Sequence, residues 1–184
     1  MSERKEERPV IYSIGHSTLA LQGFIETLKA HGITLVADVR SVPGSRHNPQ
    51  FNREALSRSL KAESLEYLHM PGLGGFRKPA PDSINTGWKN DAFRGYADYM
   101  QTDEFEDNLA ELTGLAKTET VTVMCSEAVP WRCHRSLLAD ALLFRGFEVV
   151  HIMSSGSGFS HKVTSFAAVD EGRITYPADQ ERMV

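Results

Sequence analysis

Both cysteines of the chain fall in one stretch, "VMCSEAVPWRCHRSLLAD" (123–140), beside a histidine and two arginines. "VMC" ends a strand-like apolar run, and "CHRSLLADALL" opens a helix-like one. The first turn of a helix aims unpaired backbone N–H groups and the positive end of its dipole at whatever precedes it. A thiol placed there and flanked by Arg132 and Arg135 should ionise below the ordinary value of about 8.5. Cys125 is therefore a candidate nucleophile or polar anchor, with Arg132, Arg135 and the helix N-terminus holding phosphate, sulfate or carboxylate. Plain burial competes with this, because free cysteine is among the most buried residue types. In that case the arginines pair with Asp38, Glu127 or Asp140. Cys133, placed on the helix, reads as such a buried residue, whereas Cys125 keeps both readings. A zinc site from Cys125, Cys133 and His134, joined by a histidine such as His16, ranks third, since seven intervening residues are not the tight pair spacing of structural zinc. No other cofactor is expected.

Other groups that could do chemistry sit where strands are expected to end. These are Gly15-His16-Ser17, Asp38-Val39-Arg40-Ser41, His69, Cys125-Ser126-Glu127 and His151. His16 or His134 could serve as acid or base, with Asp38 or Glu127 orienting it. Ser17 or Thr18 could cap a helix instead. Tyr67, Trp88 and Trp131 could wall a pocket, although large aromatics are more often core. "GLGG" (72–75) lacks the spacing of a dinucleotide fingerprint, and no Walker-type phosphate loop is present.

Five strands are expected to carry these groups: "VIYSIG" (10–15), "ITLVADV" (33–39), "LEYLH" (65–69), "TVTVMC" (120–125) and "FEVVHI" (147–152). Helical periods fill the gaps, as in Leu21-Phe24-Ile25-Leu28 and Phe93-Tyr96-Ala97-Met100. Others follow Asn52, Asp103 and Cys133. Strands alternating with helices imply a three-layer α/β fold: a mostly parallel five-stranded sheet with helices on both faces, here given the order 3-2-1-4-5. "GRITYP" is a candidate extra C-terminal edge strand. The Gly- and Pro-rich segment 70–90 is too long for a plain connection and reads as a lid. Residues 1–9 are expected to be a flexible tail and 10–184 a single domain.

Bulk properties narrow the partners. With 41% hydrophobic and 24% charged residues the composition is that of a soluble globular protein. No apolar run approaches the roughly 20 residues that span a bilayer, and "MSERKEERP" lacks the core of a signal peptide. A cytoplasmic protein without membrane contact is expected. Net charge is −4, from 20 Lys+Arg against 24 Asp+Glu, so nucleic acid is not favoured despite Arg40, Arg46, Arg53 and Arg58. A small anionic or phosphorylated ligand is the expected partner.

The ordered set "IGHS", "DVRSVPGSR", Phe51, "YLHMPGLGG", "FRGYADYM", "VMCSEAVPWRCHRSLLAD" and "GRITYP" resembles the family called domain of unknown function 488, from Ile11 to Pro177. That resemblance implies no established activity. It implies a site among Gly15, His16, Ser17, Asp38, Arg40, Pro43, Ser45, Leu73, Gly74, Gly75, Cys125, Glu127, Pro130, Cys133, His134 and Arg135, and so adds Ser45, Gly74 and Gly75 to the anion-binding candidates. A looser likeness joins "LVADVR" and the Cys125 loop to rhodanese-like domains. There, and in Cys-dependent phosphatases, a short loop closed by an arginine cradles the anion. Here Arg132 lies seven residues after Cys125 and Arg135 ten, so the spacing differs. Fold likeness alone does not confer function.

The leading reading is an enzyme using Cys125 on a phosphorylated or otherwise anionic substrate. A non-catalytic nucleotide or nucleic-acid binding module, or a zinc-binding protein, uses the same loop differently.

Overall fold

The computed structural model describes residues 8–178. Most of the tail expected at residues 1–9 lies outside the described residues. Each short β-branched or aromatic run becomes a strand, and each run of period 3.6 a helix. In chain order they are β1 (Val10–Gly15), α1 (Leu21–Ala30), β2 (Leu35–Asp38), α2 (Arg53–Ala62), β3 (Glu66–His69), α3 (Asp91–Tyr99), α4 (Asp103–Leu115), β4 (Val121–Cys125), α5 (Arg135–Phe144) and β5 (Glu148–Ser154). Three short strands follow: β6 (Ser157–Ser160), β7 (Ala168–Asp170) and β8 (Arg173–Thr175). Asn90 and Thr102 cap α3 and α4 by accepting from the backbone N–H groups of their first turns.

The sheet is parallel through its first five strands, in the order β3-β2-β4-β1-β5, with β6 antiparallel at the edge. The fold class is as the sequence implies, but the order 3-2-1-4-5 is not. β4, not β1, lies beside β2. Adjacency in sequence favours neighbouring strands, yet every residue of β4 is buried, and that run takes the central position with strands on both sides. The extra edge strand is β6, not "GRITYP". That segment forms β8, which pairs only with β7 through a turn at Glu171 (φ 46°) and Gly172 (φ 80°). Two successive positive φ values match the right-handed twist of a tight hairpin, so the segment closes locally instead of joining the sheet.

Handedness fixes which face each helix covers. The chain winds β1 to β2 to β3 in one direction, and α1 and α2 pack one face through Phe24, Leu28, Leu56 and Leu60. It returns toward β4 and β5 in the other direction, and the opposite face packs against α3, α4 and α5 through Tyr96, Leu109, Leu138 and Leu142. Right-handed crossovers running in opposite directions must use opposite faces. The two opposite windings leave from neighbouring strands, β1 and β4, with Gly15 opposite Cys125. One exit loop turns to α1 and the other to α5, which opens the crevice where such sheets bind ligands.

The segment 70–90, expected as a lid, is held down. Asp98 on α3 accepts from Ala80 N, Ser83 Oγ and Asn85 Nδ2 at 2.6–2.8 Å. Tyr96 and Tyr99 donate to the carbonyls of Leu73 and Gly72. Among the described residues no helix is long and apolar enough to cross a membrane.

A second buried network ties β5 to the C-terminal strands. Asp140 on α5, fully buried, accepts from His161 Nε2 (2.8 Å), Tyr176 Oη (2.8 Å) and Thr164 N (3.0 Å). His161 Nδ1 in turn accepts from His151 Nε2 at 2.9 Å, which leaves His151 Nδ1 buried without a partner. Burial lowers the His151 pKa from 6.5 to about 3, helped by the neighbouring His161. The unfolded chain therefore takes up this proton near pH 6.5 and the native one only near pH 3. The resulting stability is complete above pH 6.5 and is lost as pH falls toward 3. Between those limits the wild type should lose up to about 1.4 kcal/mol per pH unit more than His151→Gln. Urea denaturation at several pH values checks this; equal slopes would show that His151 does not titrate differently in the two states.

Candidate functional site

A cavity of about 610 Å³ opens at the carboxyl ends of β1, β2 and β4, within the size range of small-molecule sites. β1 and β4 continue their pairing past the strand ends, with His16 N and Ser17 N donating to Cys125 O and Ser126 O at 3.0 Å. Gly15 is required by this approach, since a Cβ there would lie 1.7 Å from the Glu127 carbonyl oxygen. Ser17 then turns the chain with φ 44°, a left-handed conformation unusual outside glycine.

One wall is built on β2. Asp38, fully buried, grips Arg40 in two places: Nε to Oδ1 at 2.8 Å and Nη2 to Oδ2 at 2.6 Å. Tyr67 on β3 donates to the same carboxylate at 2.6 Å, and this bond together with burial pushes its phenol pKa up. Arg40 Nη2 also donates to Phe51 O, and Nη1 donates to His16 Nε2 at 3.2 Å. A guanidinium has five N–H groups, of which four are thereby used; the fifth is on Nη1 of a residue lining the cavity. His16 stacks on Phe51 at 4.2 Å and donates from Nδ1 to Ser17 O, so both of its nitrogens are engaged. Burial lowers its pKa and the Arg40 charge adds to this, keeping it neutral at pH 7.

The floor holds the cysteines. Their sulfurs lie 2.9 Å apart, both buried and both on the cavity lining. Cys133 is not yet helical: it sits in extended backbone (φ −137°, ψ 150°) between the turn Pro130–Arg132 and the start of α5. Its sulfur is 3.5 Å from His134 Nδ1. The Cys133 pKa is lowered, first by the hydrogen bond from Cys125, then by His134 and Arg135, against the opposing effect of burial. Burial and the bond to Cys133 push the Cys125 thiol up. The two thiols therefore titrate as a pair, the first proton leaving more readily than the second.

Behind the sulfurs lies Arg135, 1% exposed. It donates from Nε to Cys125 Sγ (2.9 Å), from Nη1 to Ser13 Oγ (2.9 Å) and from Nη2 to Glu127 O (2.6 Å). Among the described residues no carboxylate forms an ion pair with it.

The expected site residues therefore converge, with their surroundings changed. His16, Ser17, Arg40, Ser45, Gly75, Cys125, Glu127, Arg132 and His134 all line the cavity. Arg132 is exposed at the rim without an ion-pair partner among the described residues, and the Glu127 side chain is also exposed. Ser45 Oγ accepts from His47 N and Asn48 N at 3.1 Å, which leaves its own hydrogen free to donate. Gly75 lies against the His134 ring, while Gly74 packs behind it on Ser41, off the lining. Asp38 and Arg135 are also off the lining, and Arg135 touches the site only through Cys125 and Glu127. His69 donates to Arg40 O, and His151 belongs to the Asp140 network. Tyr67, Trp88 and Trp131 do not line the cavity. Ser13, Phe51, Phe76 and Asn48 are participants the sequence reading missed. Among the described residues, no group of three or more His, Cys, Asp or Glu side chains is arranged to hold a metal ion.

Fold and site together define an α/β protein with a dithiol and two arginines at the switch point of a parallel sheet. The chain belongs to the family described as domain of unknown function DUF488, which matches residues 20–142. That span includes Asp38, Arg40 and the whole Cys125–Arg135 loop; His16 and Ser17 lie just before it. Among curated proteins and among solved structures, no match to the chain is found.

Removing the Asp38 charge leaves Arg40 buried and uncompensated. Asp38→Asn should cost about 3 kcal/mol or more in urea denaturation. Tyr67→Phe, which deletes one bond to the same carboxylate, should cost about 1 kcal/mol. The reverse order would show that Arg40 finds another counter-charge.

Proposed function

We propose that this chain is a thiol-dependent enzyme acting on a small anionic substrate, such as a phosphorylated one, bound over the Cys125–Cys133 pair. The observation that carries the reading is Arg135. A buried guanidinium without a carboxylate is costly unless another anion faces it. The Cys125 sulfur at 2.9 Å from Nε lies 2.9 Å from Cys133 Sγ, which ties the guanidinium to a thiol pair able to supply that charge. A mono-ionised dithiol at the floor of an open pocket is a nucleophile held ready.

In this reading the charge rests mainly on Cys133, with Cys125 donating its S–H. That assigns Cys133 a larger part than the sequence alone suggested. Arg132 and the fifth N–H of Arg40 hold the anion, with Ser17 and Ser45 as further polar contacts. His134, beside the thiolate, serves as acid or base. His16 and Asp38 act as positioning residues, because every polar atom they offer already serves Arg40 or the backbone. Glu127 contributes its carbonyl to Arg135, and its carboxylate stands at the rim.

Site-resolved alkylation against pH tests this. Cys133 should react well below the ordinary thiol range near pH 8.5, and inorganic phosphate should slow it. Arg132→Ala should weaken that protection about tenfold, one charged contact's worth, without moving the pH of half-reaction. If both cysteines react only near pH 8.5, the thiolate is absent. Phosphate binding to a chain with inert cysteines would favour the non-catalytic binding module. Cysteines that become reactive only on addition of a chelator would point to zinc.

A further inference from the structure

Two sulfurs at the floor of an open pocket can do more than share a proton. Their 2.9 Å separation is only about 0.9 Å longer than a disulfide bond of roughly 2.05 Å. The two are not equivalent. Cys125 is fixed at the end of the central strand β4, opposite Gly15 and against Arg135 Nε. Cys133 lies in the extended link before α5, on the cavity lining and next to His134.

We propose that Cys125 and Cys133 form a thiol–disulfide exchange couple whose external partner is a small acidic thiol or its disulfide, with Cys133 attacking and Cys125 resolving. This rests on the reading of the pocket as a thiol-dependent anion site and gives that reading a reaction class. The Cys133 thiolate attacks one sulfur of a disulfide R–S–S–R′. The Cys133–S–R bond forms, the S–S bond breaks, and R′–S⁻ leaves and takes up a proton. Cys125 then loses its proton, with the Arg135 N–H at its sulfur favouring the thiolate, and attacks Cys133 Sγ. The Cys125–Cys133 bond forms, and R–S⁻ leaves and takes up the proton that Cys125 gave up, becoming the second thiol. The net change is a dithiol and R–S–S–R′ becoming a protein disulfide, R–SH and R′–SH. Run backwards, the protein disulfide oxidises two small thiols, and no other electron carrier is needed.

The pocket favours an acidic partner. Arg132 and Arg40 stand on its lining against one acidic side chain, Glu127, whose carboxylate is exposed. Phe76, Phe93 and Val42 offer apolar contact for the remainder of a molecule larger than a peroxide, and about 610 Å³ accommodates it.

The reduced full-length chain is incubated separately with oxidised glutathione (acidic), bis(2-hydroxyethyl) disulfide (neutral) and cystamine (cationic). Free thiols are then trapped, and peptides are mapped by mass. An internal Cys125–Cys133 disulfide is expected, forming roughly tenfold faster with oxidised glutathione than with the neutral reagent, as one charge-assisted contact would give. Excess reduced glutathione should reopen it. Cys125→Ser should stop at a mixed disulfide on Cys133, and the wild-type mapping stands whether or not that variant folds. Suppose no internal disulfide forms while Cys133 still alkylates at low pH and phosphate still shields it: the exchange couple is then wrong and the anion-pocket reading survives. If the low-pH alkylation is missing as well, both are wrong. Equal rates with all three reagents would overturn the acidic partner, and an adduct on Cys125 in Cys133→Ser would overturn the assignment of roles.

Discussion

The arrangement depends on one buried charge. Arg135 brings a full positive charge to the interface between α5 and the central strands, and its three donating nitrogens go to a hydroxyl, a carbonyl and a sulfur. Arg40, a few residues beyond the end of a neighbouring strand, shows the ordinary solution, a two-pronged pair with a buried carboxylate. Arg135 has none among the described residues, and its Nε is given instead to the Cys125 sulfur. The same guanidinium joins Ser13 of β1, Cys125 of β4 and the Glu127 loop to α5, which holds in register the two strands whose exit loops form the pocket.

Topology supplies the opening above that charge. β1 and β4 are neighbours whose chains leave toward opposite faces, so no helix closes over their carboxyl ends. The loops differ in how they are stiffened. After β1, two backbone bonds extend the sheet pairing into Ser17, whose left-handed backbone is held by them. After β2, the Asp38–Arg40–His16–Phe51 chain of contacts fixes a guanidinium at the pocket edge. After β4, a turn begun by Pro130 leads to Cys133 in extended backbone.

Much of this was legible in the sequence, because β1 and the helices have strong periods and the strand ends carry polar groups. β1 spans the residues the pattern gives, and α1 and α5 lie where their apolar faces place them. Strand order was not legible. β1 and β4 are both apolar runs, and nothing in either names its neighbour. Cys133 was misplaced for a local reason. The pattern begins the helix at Cys133, whereas the helix begins at Arg135, so a residue facing the pocket read as a core residue of a helix. The inward turn of Arg135 did leave a signal: it shares one helical face with Leu138, Ala139 and Leu142, all buried. Ser13, polar in the middle of "VIYSIG", left the matching one across the interface. Read together, an arginine on an apolar helix face and a serine inside an apolar strand indicate a buried hydrogen bond between the two.

The same charge sets the direction in which the sulfur pair is biased. On the proposed reading, the dithiol pair carries one negative charge, linked to Arg135 through the Cys125 sulfur. In a disulfide form both sulfurs are neutral, and the guanidinium keeps only Ser13 and the Glu127 carbonyl, neither of which is an anion. Oxidation therefore leaves a buried, uncompensated cation, a situation that costs several kcal/mol in order of magnitude when a partner is removed outright. Whatever fraction of that cost survives relaxation favours the reduced pair. Stabilising the reduced form makes a couple more oxidising. Under the proposed exchange reaction, an acidic ligand held by Arg40 and Arg132 would add negative charge on the pocket side of the sulfurs and offset part of the loss. The partner that is bound would then also be the one that makes oxidation of the pair less unfavourable, which couples recognition to the redox step through a single guanidinium.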